Sequence, residues 1–451
     1  MRIDCLFIVE AQQTPMNTGK ISVTPQLLAS LCEKSKLPPQ KSLLQQLSSF
    51  LHTILSLLII ILLLTLCTVP RIFATTSQSN NGTQKRTDKP TQESVNEDGA
   101  TSTSRLALPF KRLWQYAEET TTFAPAVDEK RIYLPLAGGR VVCLDRQDGS
   151  RLWMSELGGN VSAPVVIGEQ AVFVATRKVT ADGAEAGAAL RAIDKTTGLT
   201  LWAHDYPRYF PSPLVLDKMR LYAGCADGAL YAISITDGEV VWKAQTADVV
   251  RAPALVTETV IYFGSDDGAM RGVEHDKGRE VFKFQTPGKI AGAPVMDERF
   301  CYFGSSEGFV YAVDKVFGKL RWRSRTGASV EATPVITGDK ILVASFDNFI
   351  YALSRSSGNR LWKRRFDNRL IAAPLVEGDA AMIAPYRGDA IAVFLSADGR
   401  RVNFYRLEKE TEIVAAPVLS DNLLLIPTDK GLLAATPAQA TDTRTNAVKK
   451  P

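Results

Sequence analysis

The chain has 451 residues, of which 45 % are hydrophobic, and it carries 53 Lys and Arg against 48 Asp and Glu, a net charge of +5. That is enough apolar material for a large core, and so small an excess of positive charge does not point to nucleic acid. Three histidines, none at metal-ligand spacing, and six scattered cysteines indicate neither a zinc centre nor a disulfide framework.

In chain order, residues 1–41 form a polar leader with Pro38-Pro39 and scattered lysines. A lead of this length ahead of an export signal suggests that translation starts further downstream. Residues 42–74 are a signal peptide or membrane anchor. Ser42 to Pro70 lacks charge, and Phe50 to Val69 is almost wholly apolar and long enough to span a bilayer. Lys34, Lys36 and Lys41 precede it, which places the N-terminal side in the cytoplasm and exports the rest. Ile72-Phe73-Ala74 has the form of a cleavage site. Leu64-Thr65-Leu66-Cys67 has the outline of a lipobox, with Leu66 too bulky for its place. Cleavage, lipidation and retention all stay open, and each puts the protein in a bacterial periplasm or cell envelope. Residues 75–107 are polar with few aliphatics, the composition of a disordered tether, and Asn81-Gly82-Thr83 reads as part of it. A similar polar tail occupies 437–451.

Residues 108–436 repeat one pattern. A small residue and a proline recur at Pro125, Pro164, Pro213, Pro253, Pro294, Pro334, Pro374 and Pro417. Trp153, Trp202, Trp242, Trp322 and Trp362 each follow a glycine by four residues, and Phe282 does the same. A period of about 40 residues with four short strands predicts an all-β, eight-bladed β-propeller of four-stranded antiparallel blades. The count closes only if the lone strand around Trp114 joins the three strands after Pro417, which predicts a ring sealed between the chain's two ends. Trp114, Trp153, Trp202, Trp242, Phe282, Trp322, Trp362 and Phe404 are expected to dock each blade against the next. Asp227-Gly228 and Asp267-Gly268 suit two-residue hairpins. The insert from Lys178 to Ala188 falls at the middle hairpin of the second repeat, an expected contact surface or mobile tip. Cys143, Cys225 and Cys301, in three different blades, read as small core residues.

The stretch Ala192, Asp194, Thr197, Gly198, Trp202 is similar to the tryptophan-docking motif of pyrroloquinoline-quinone (PQQ)-type propellers, with Leu199 in place of the usual Lys. Ala312, Asp314, Gly318 and Trp322 match again, with Phe317 in place of Thr. Within that superfamily the chain resembles the BamB family of outer-membrane-protein assembly lipoproteins, which also begin on a lone Trp-bearing strand and end on an aromatic-free fragment. The resemblance implies an exported scaffold without a cofactor, whose partners are proteins of the barrel-insertion machinery. It also implies a partner-binding loop at Val249, Val250 and Arg251, in a shorter segment than the family's.

The same superfamily contains quinoprotein dehydrogenases, so an enzyme is the alternative, and a sensor domain on a retained anchor a third. The dehydrogenases carry vicinal cysteines and long inserts above the ring; this chain has no Cys-Cys pair and one insert. No catalytic residue, metal ligand or cofactor site is therefore assigned. Arg251, Lys289, Arg325 and Arg369 lie near the blades' opening prolines and are expected at one end of the channel, ordinarily as solvated rim charges. Asp145, Asp194 and Asp314 are expected to cap turns, and His275, in a turn, to lie at the surface.

Overall fold

The computed structural model describes residues 102–438. The leader, the apolar segment, the tether up to residue 101 and the tail beyond 438 lie outside the described residues. Within them the repeats form eight sheets of antiparallel strands. Blades 1 to 7 begin at Ala126, Asn160, Val215, Leu255, Val295, Val335 and Leu375; blade 8 combines 418–437 with 110–116.

Blade 5 shows how the repeat folds. Its strands are Val295–Met296, Phe300–Gly304, Phe309–Asp314 and Leu320–Arg325. The first is short because the preceding proline offers no N–H to lengthen the ladder. The first strand of blade 2 touches those of blades 1 and 3, which places this strand at the axis. The second and third are apolar and almost wholly buried, since both their faces meet a neighbouring blade. The fourth alternates between exposed and covered positions, as an outer strand with one packed face must. The molecule consequently has a buried cluster at each seam instead of one central core. Cys301 and Phe303 pack with Tyr262 and Phe282 between blades 4 and 5, and Tyr302 and Trp322 with Ile341 and Tyr351 between blades 5 and 6.

The ring closes as expected. Phe110–Tyr116 pairs antiparallel with Gly431–Pro437, from Phe110 opposite Pro437 to Tyr116 opposite Leu432, and supplies the outer strand that blade 8 would otherwise lack. Residues ahead of 108 also pack on the ring, however. Ser104 caps a 3₁₀ turn, Arg105–Ala107, whose Leu106 is fully buried in the seam of blades 7 and 8. Arg105 pairs with Glu377, and Asn403 Nδ2 donates to the carbonyls of Leu106 and Leu108 at 2.9 and 2.5 Å. One leucine in a polar stretch was too weak a signal to reveal this turn.

Two ends of the ring follow from the backbone bonds. At one, here the docking end, turns between strands 1 and 2 meet turns between strands 3 and 4, as in Lys315 N–H to Arg299 O and Lys195 N–H to Gln170 O, both 3.1 Å. At the other, the hairpin end, the middle hairpins meet the loops that lead from blade to blade. Asp266 N–H donates to Val249 O, Ser306 N–H to Lys289 O and Tyr386 N–H to Arg369 O, each at 2.9 Å. The hairpins at Asp227-Gly228 and Asp267-Gly268 have three residues, not two. Gly228 N–H bonds Cys225 O at 3.2 Å and only the glycine takes a positive φ, 82°, so one left-handed residue suffices. The insert forms an overhang of the blade 2 hairpin, Ala171–Val179 and Glu185–Asp194, at the hairpin end.

Candidate partner-binding site

The docking positions show what the recurring aromatics do. Each indole lies against the strand 3–4 turn glycine of the next blade: Trp114 on Gly149, Trp153 on Gly198, Trp202 on Gly238, Trp242 on Gly278, Trp322 on Gly358 and Trp362 on Gly399. A Cβ at Gly358, where φ is 74°, would stand 2.5 Å from Trp322 Cε3, so the ring's approach and the backbone both demand glycine. Five indoles donate to a carbonyl of that turn, at 3.0 to 3.2 Å: Lys195, Ile235, His275, Arg355 and Ser396. Phe282 packs on Gly318 more loosely, its nearest atom 3.7 Å from a Cβ built there, and the corresponding carbonyl, Lys315 O, is reached instead by Tyr262 OH at 3.5 Å. Phe404 does not dock. Asn403 stands where the other blades have the docking aromatic, and strands 3 and 4 of blade 8, 431–437 and 110–116, are joined by no turn for an aromatic to rest on. Phe404 is 46 % exposed, beside the Arg401 and Arg406 guanidinium groups.

The turn aspartates cap their own loops. Asp194 Oδ1 accepts from Thr196 N, Thr197 N and Thr197 Oγ1, and Asp145 Oδ1 from Gln147 N. His275 is not at the surface: its side chain is 13 % exposed, with Nε2 3.1 Å from Asp217 Oδ2 and 3.0 Å from Tyr222 OH across the seam of blades 3 and 4. The docking geometry that carries its carbonyl to Trp242 turns its ring inward. Cys143, Cys225 and Cys301 are free and buried, and burial pushes the Cys143 and Cys225 thiols up to about 12.

The loop between blades 3 and 4 divides the three residues expected to bind a partner. Val250 is fully buried, covered by Gly224 of blade 3, so it is a core residue and offers no surface. Val249 is half-buried, its carbonyl accepting from Asp266 N. Arg251 is exposed, and its Nε donates to Asp266 Oδ2 at 2.8 Å. Lys289, from the next loop, reaches the same oxygen at 3.1 Å. The Asp266 side chain is 1 % exposed, and its Oδ1 has no partner among the described residues. Two cations thus converge on one sunken carboxylate and leave an excess positive charge at the rim. Asp266 was hidden in the sequence because only the backbone pairing of hairpin with preceding loop brings it to Arg251.

Asp267, beside it, binds Arg271 through both oxygens, at 2.9 and 2.6 Å. Burial alone would raise its pKa, but the Arg271 guanidinium and the backbone N–H groups of Ala269 and Ala247 outweigh it and hold the carboxyl at about 2. Arg369 lies on the same end two loops further round, over the Phe346 ring. Arg325 does not face the channel; it ends the outer strand of blade 5, 5.9 Å from the centre of the Phe309 ring. Under the long hairpin, Lys178, Glu185, Asp205 and Tyr206 line an open cleft of about 460 Å³. Among the described residues no group of three or more His, Cys, Asp or Glu is placed to hold a metal ion.

The family model of the outer membrane protein assembly factor BamB matches residues 110–248, 186–292 and 266–450. The chain belongs to this family. A similar solved structure is BamB from Moraxella catarrhalis, 16 % identical, with a TM-score of 0.60 over 73 % of this chain and 99 % of that one. A computationally designed protein, Ika8, is 14 % identical, with a TM-score of 0.62 over 72 % and 99 % of the two chains. At such identities both likenesses are likenesses of fold. No curated protein matches the chain.

Proposed function

We propose that this BamB-family propeller is a non-enzymatic scaffold of the bacterial envelope. It holds protein partners of the barrel-assembly machinery at the hairpin end of its ring. The observation that carries this reading is the Arg251–Asp266–Lys289 cluster: a buried carboxylate fixes two cations on the rim and leaves one positive charge uncompensated. Fixed charges on rigid loops suit recognition of an acidic protein surface, since little side-chain freedom is lost on binding. The closed ring supports a monomer, and the N-terminal segment keeps the protein at the membrane or releases it to the periplasm after cleavage.

Affinity capture of the full chain from envelope extracts tests this. Barrel-assembly proteins should be enriched, and capture should fall with Arg251→Glu and Lys289→Glu together; their repeated absence from the captured set would overturn the reading. A calorimetric titration of the same protein with PQQ should be flat. Saturable heat would instead favour a quinoprotein enzyme.

A further inference from the structure

The circumference of the ring is electrically uneven. The outer strands of blades 1 to 4, Arg151–Glu156, Thr200–Tyr206, Val240–Gln245 and Glu280–Gln285, carry three cations and three carboxylates. Those of blades 5 to 7, Leu320–Arg325, Arg360–Arg365 and Arg401–Arg406, carry nine cations and no carboxylate. Among the described residues only Arg406 of the nine reaches a carboxylate, Asp389 at 3.6 Å. Several of the others rest on aromatic faces: Arg323 lies 5.0 Å from the Phe309 centroid, and Lys363 lies 4.3 Å from that of Phe349. The rings hold these cations outward without neutralising them.

An apolar tip stands at the docking end of the same wall. Val316 and Phe317 are 71 % and 74 % exposed, the most exposed large hydrophobic side chains among the described residues. Asp314 Oδ1 accepts from the backbone N–H of both, at 3.0 Å each, so the turn is fixed and both side chains project. Blades 2 and 6 carry polar residues here, Thr196-Thr197 and Ser356-Ser357, and blade 7 Ala397-Asp398. Leu320, half exposed, continues the apolar strip, and Lys319 and Arg321 flank it.

The described chain also enters at this end. Ser102 Oγ donates to Asp379 Oδ1 at 2.7 Å, in a turn between strands 1 and 2, and Phe110 lies opposite Pro437, where a strand 3–4 turn would be. The first described residues, Ser102 to Phe110, therefore lie at the docking end.

We propose that the outer wall of blades 5 to 7, with the Val316–Phe317 tip, is a peripheral membrane contact: the tip enters the lipid interface and the cations bind anionic headgroups. A small apolar insertion combined with several basic side chains is what reversible binding to an anionic bilayer requires. An acidic protein or a nucleic acid would match the cations but would give the aliphatic tip no role, and the sequence carries an apolar stretch, 50–69, long enough to enter a bilayer. The contact goes beyond the partner-binding reading, because it uses the opposite end and the outer wall of the ring.

The test places a photoreactive benzoylphenylalanine at Phe317 in the full chain, reconstituted into vesicles of phosphatidylethanolamine with phosphatidylglycerol or of phosphatidylcholine alone. Adduct yield is read per chain recovered with the vesicles, so only the tip is compared. Irradiation should give phospholipid adducts at position 317 on the anionic vesicles. Their yield should drop about tenfold on the zwitterionic vesicles, and equally on anionic ones when Arg321, Arg360 and Arg365 are all replaced by Glu, as the loss of several cation–headgroup attractions requires. Adducts with another protein or a second copy of the chain, or lipid adducts of equal yield on both vesicles, would overturn the proposal. Circular dichroism of each variant confirms the fold.

Discussion

A single indole illustrates how the ring is held. Trp322 is 8 % exposed, packs on Gly358 and donates to Arg355 O, so it contributes area, fit and a satisfied N–H at one seam. Trp322→Ala should cost about 3–5 kcal/mol in urea unfolding; a loss below about 1 kcal/mol would mean that the seam does not depend on it. Phe282→Trp should work in the other direction, since an indole there gains an acceptor in Lys315 O and fills the looser contact with Gly318. A gain of about 1 kcal/mol is expected. Asp267 gives a pH signature. Its folded pKa, about 2, lies below the ordinary 3.8, so its contribution is complete above the ordinary value and is lost as pH falls through about 2. Asp267→Asn should therefore be less stable than the parent near neutrality, and the difference should close between about pH 4 and pH 2. A difference independent of pH would contradict this. At this scale the docking tryptophans were legible because each repeats at a fixed distance from a turn glycine. Phe404 misled because it follows Gly399 by five residues, one more than the docking aromatics, so Asn403 takes the docking position and Phe404 turns outward. Val250 misled because the family's loop was transferred without the Gly224 backbone that covers it.

Among the elements, the four strands of each blade could be read from β-branched and aromatic runs between glycine turns, and so could the joining of the chain's two ends. The 3₁₀ turn before the first strand could not, because its stability comes from blades 7 and 8 and not from its own composition. It fills a place that a docked aromatic has elsewhere: Leu106 enters the seam, and Asn403, one residue before Phe404, holds the carbonyls on either side. Leu106→Ala should cost about 2–5 kcal/mol although it lies ahead of the closing strand. An effect under about 0.5 kcal/mol, the range of an ordinary surface substitution, would show that the ring ends at residue 110.

For the whole molecule, the ring separates its surfaces by end and by side. The described chain begins at the docking end. The hairpin end carries the long overhang and the Arg251–Asp266–Lys289 cluster, and it points away from where the chain enters. Blade number and closure were visible in the sequence because they depend on a period. Which charges share a surface was not, because neighbouring blades are about 40 residues apart and only the backbone register between a hairpin and the preceding loop brings Asp266 to Arg251. The scaffold reading requires that protein contacts concentrate on the hairpin end. The most direct test is photocrosslinking of the full chain in cells, with a photoreactive residue at exposed Asp248, next to the cluster, or at exposed Met219, in a docking-end turn. Crosslinks to barrel-assembly proteins from position 248 and none from 219 are predicted; protein crosslinks from 219 with none from 248 would contradict the account.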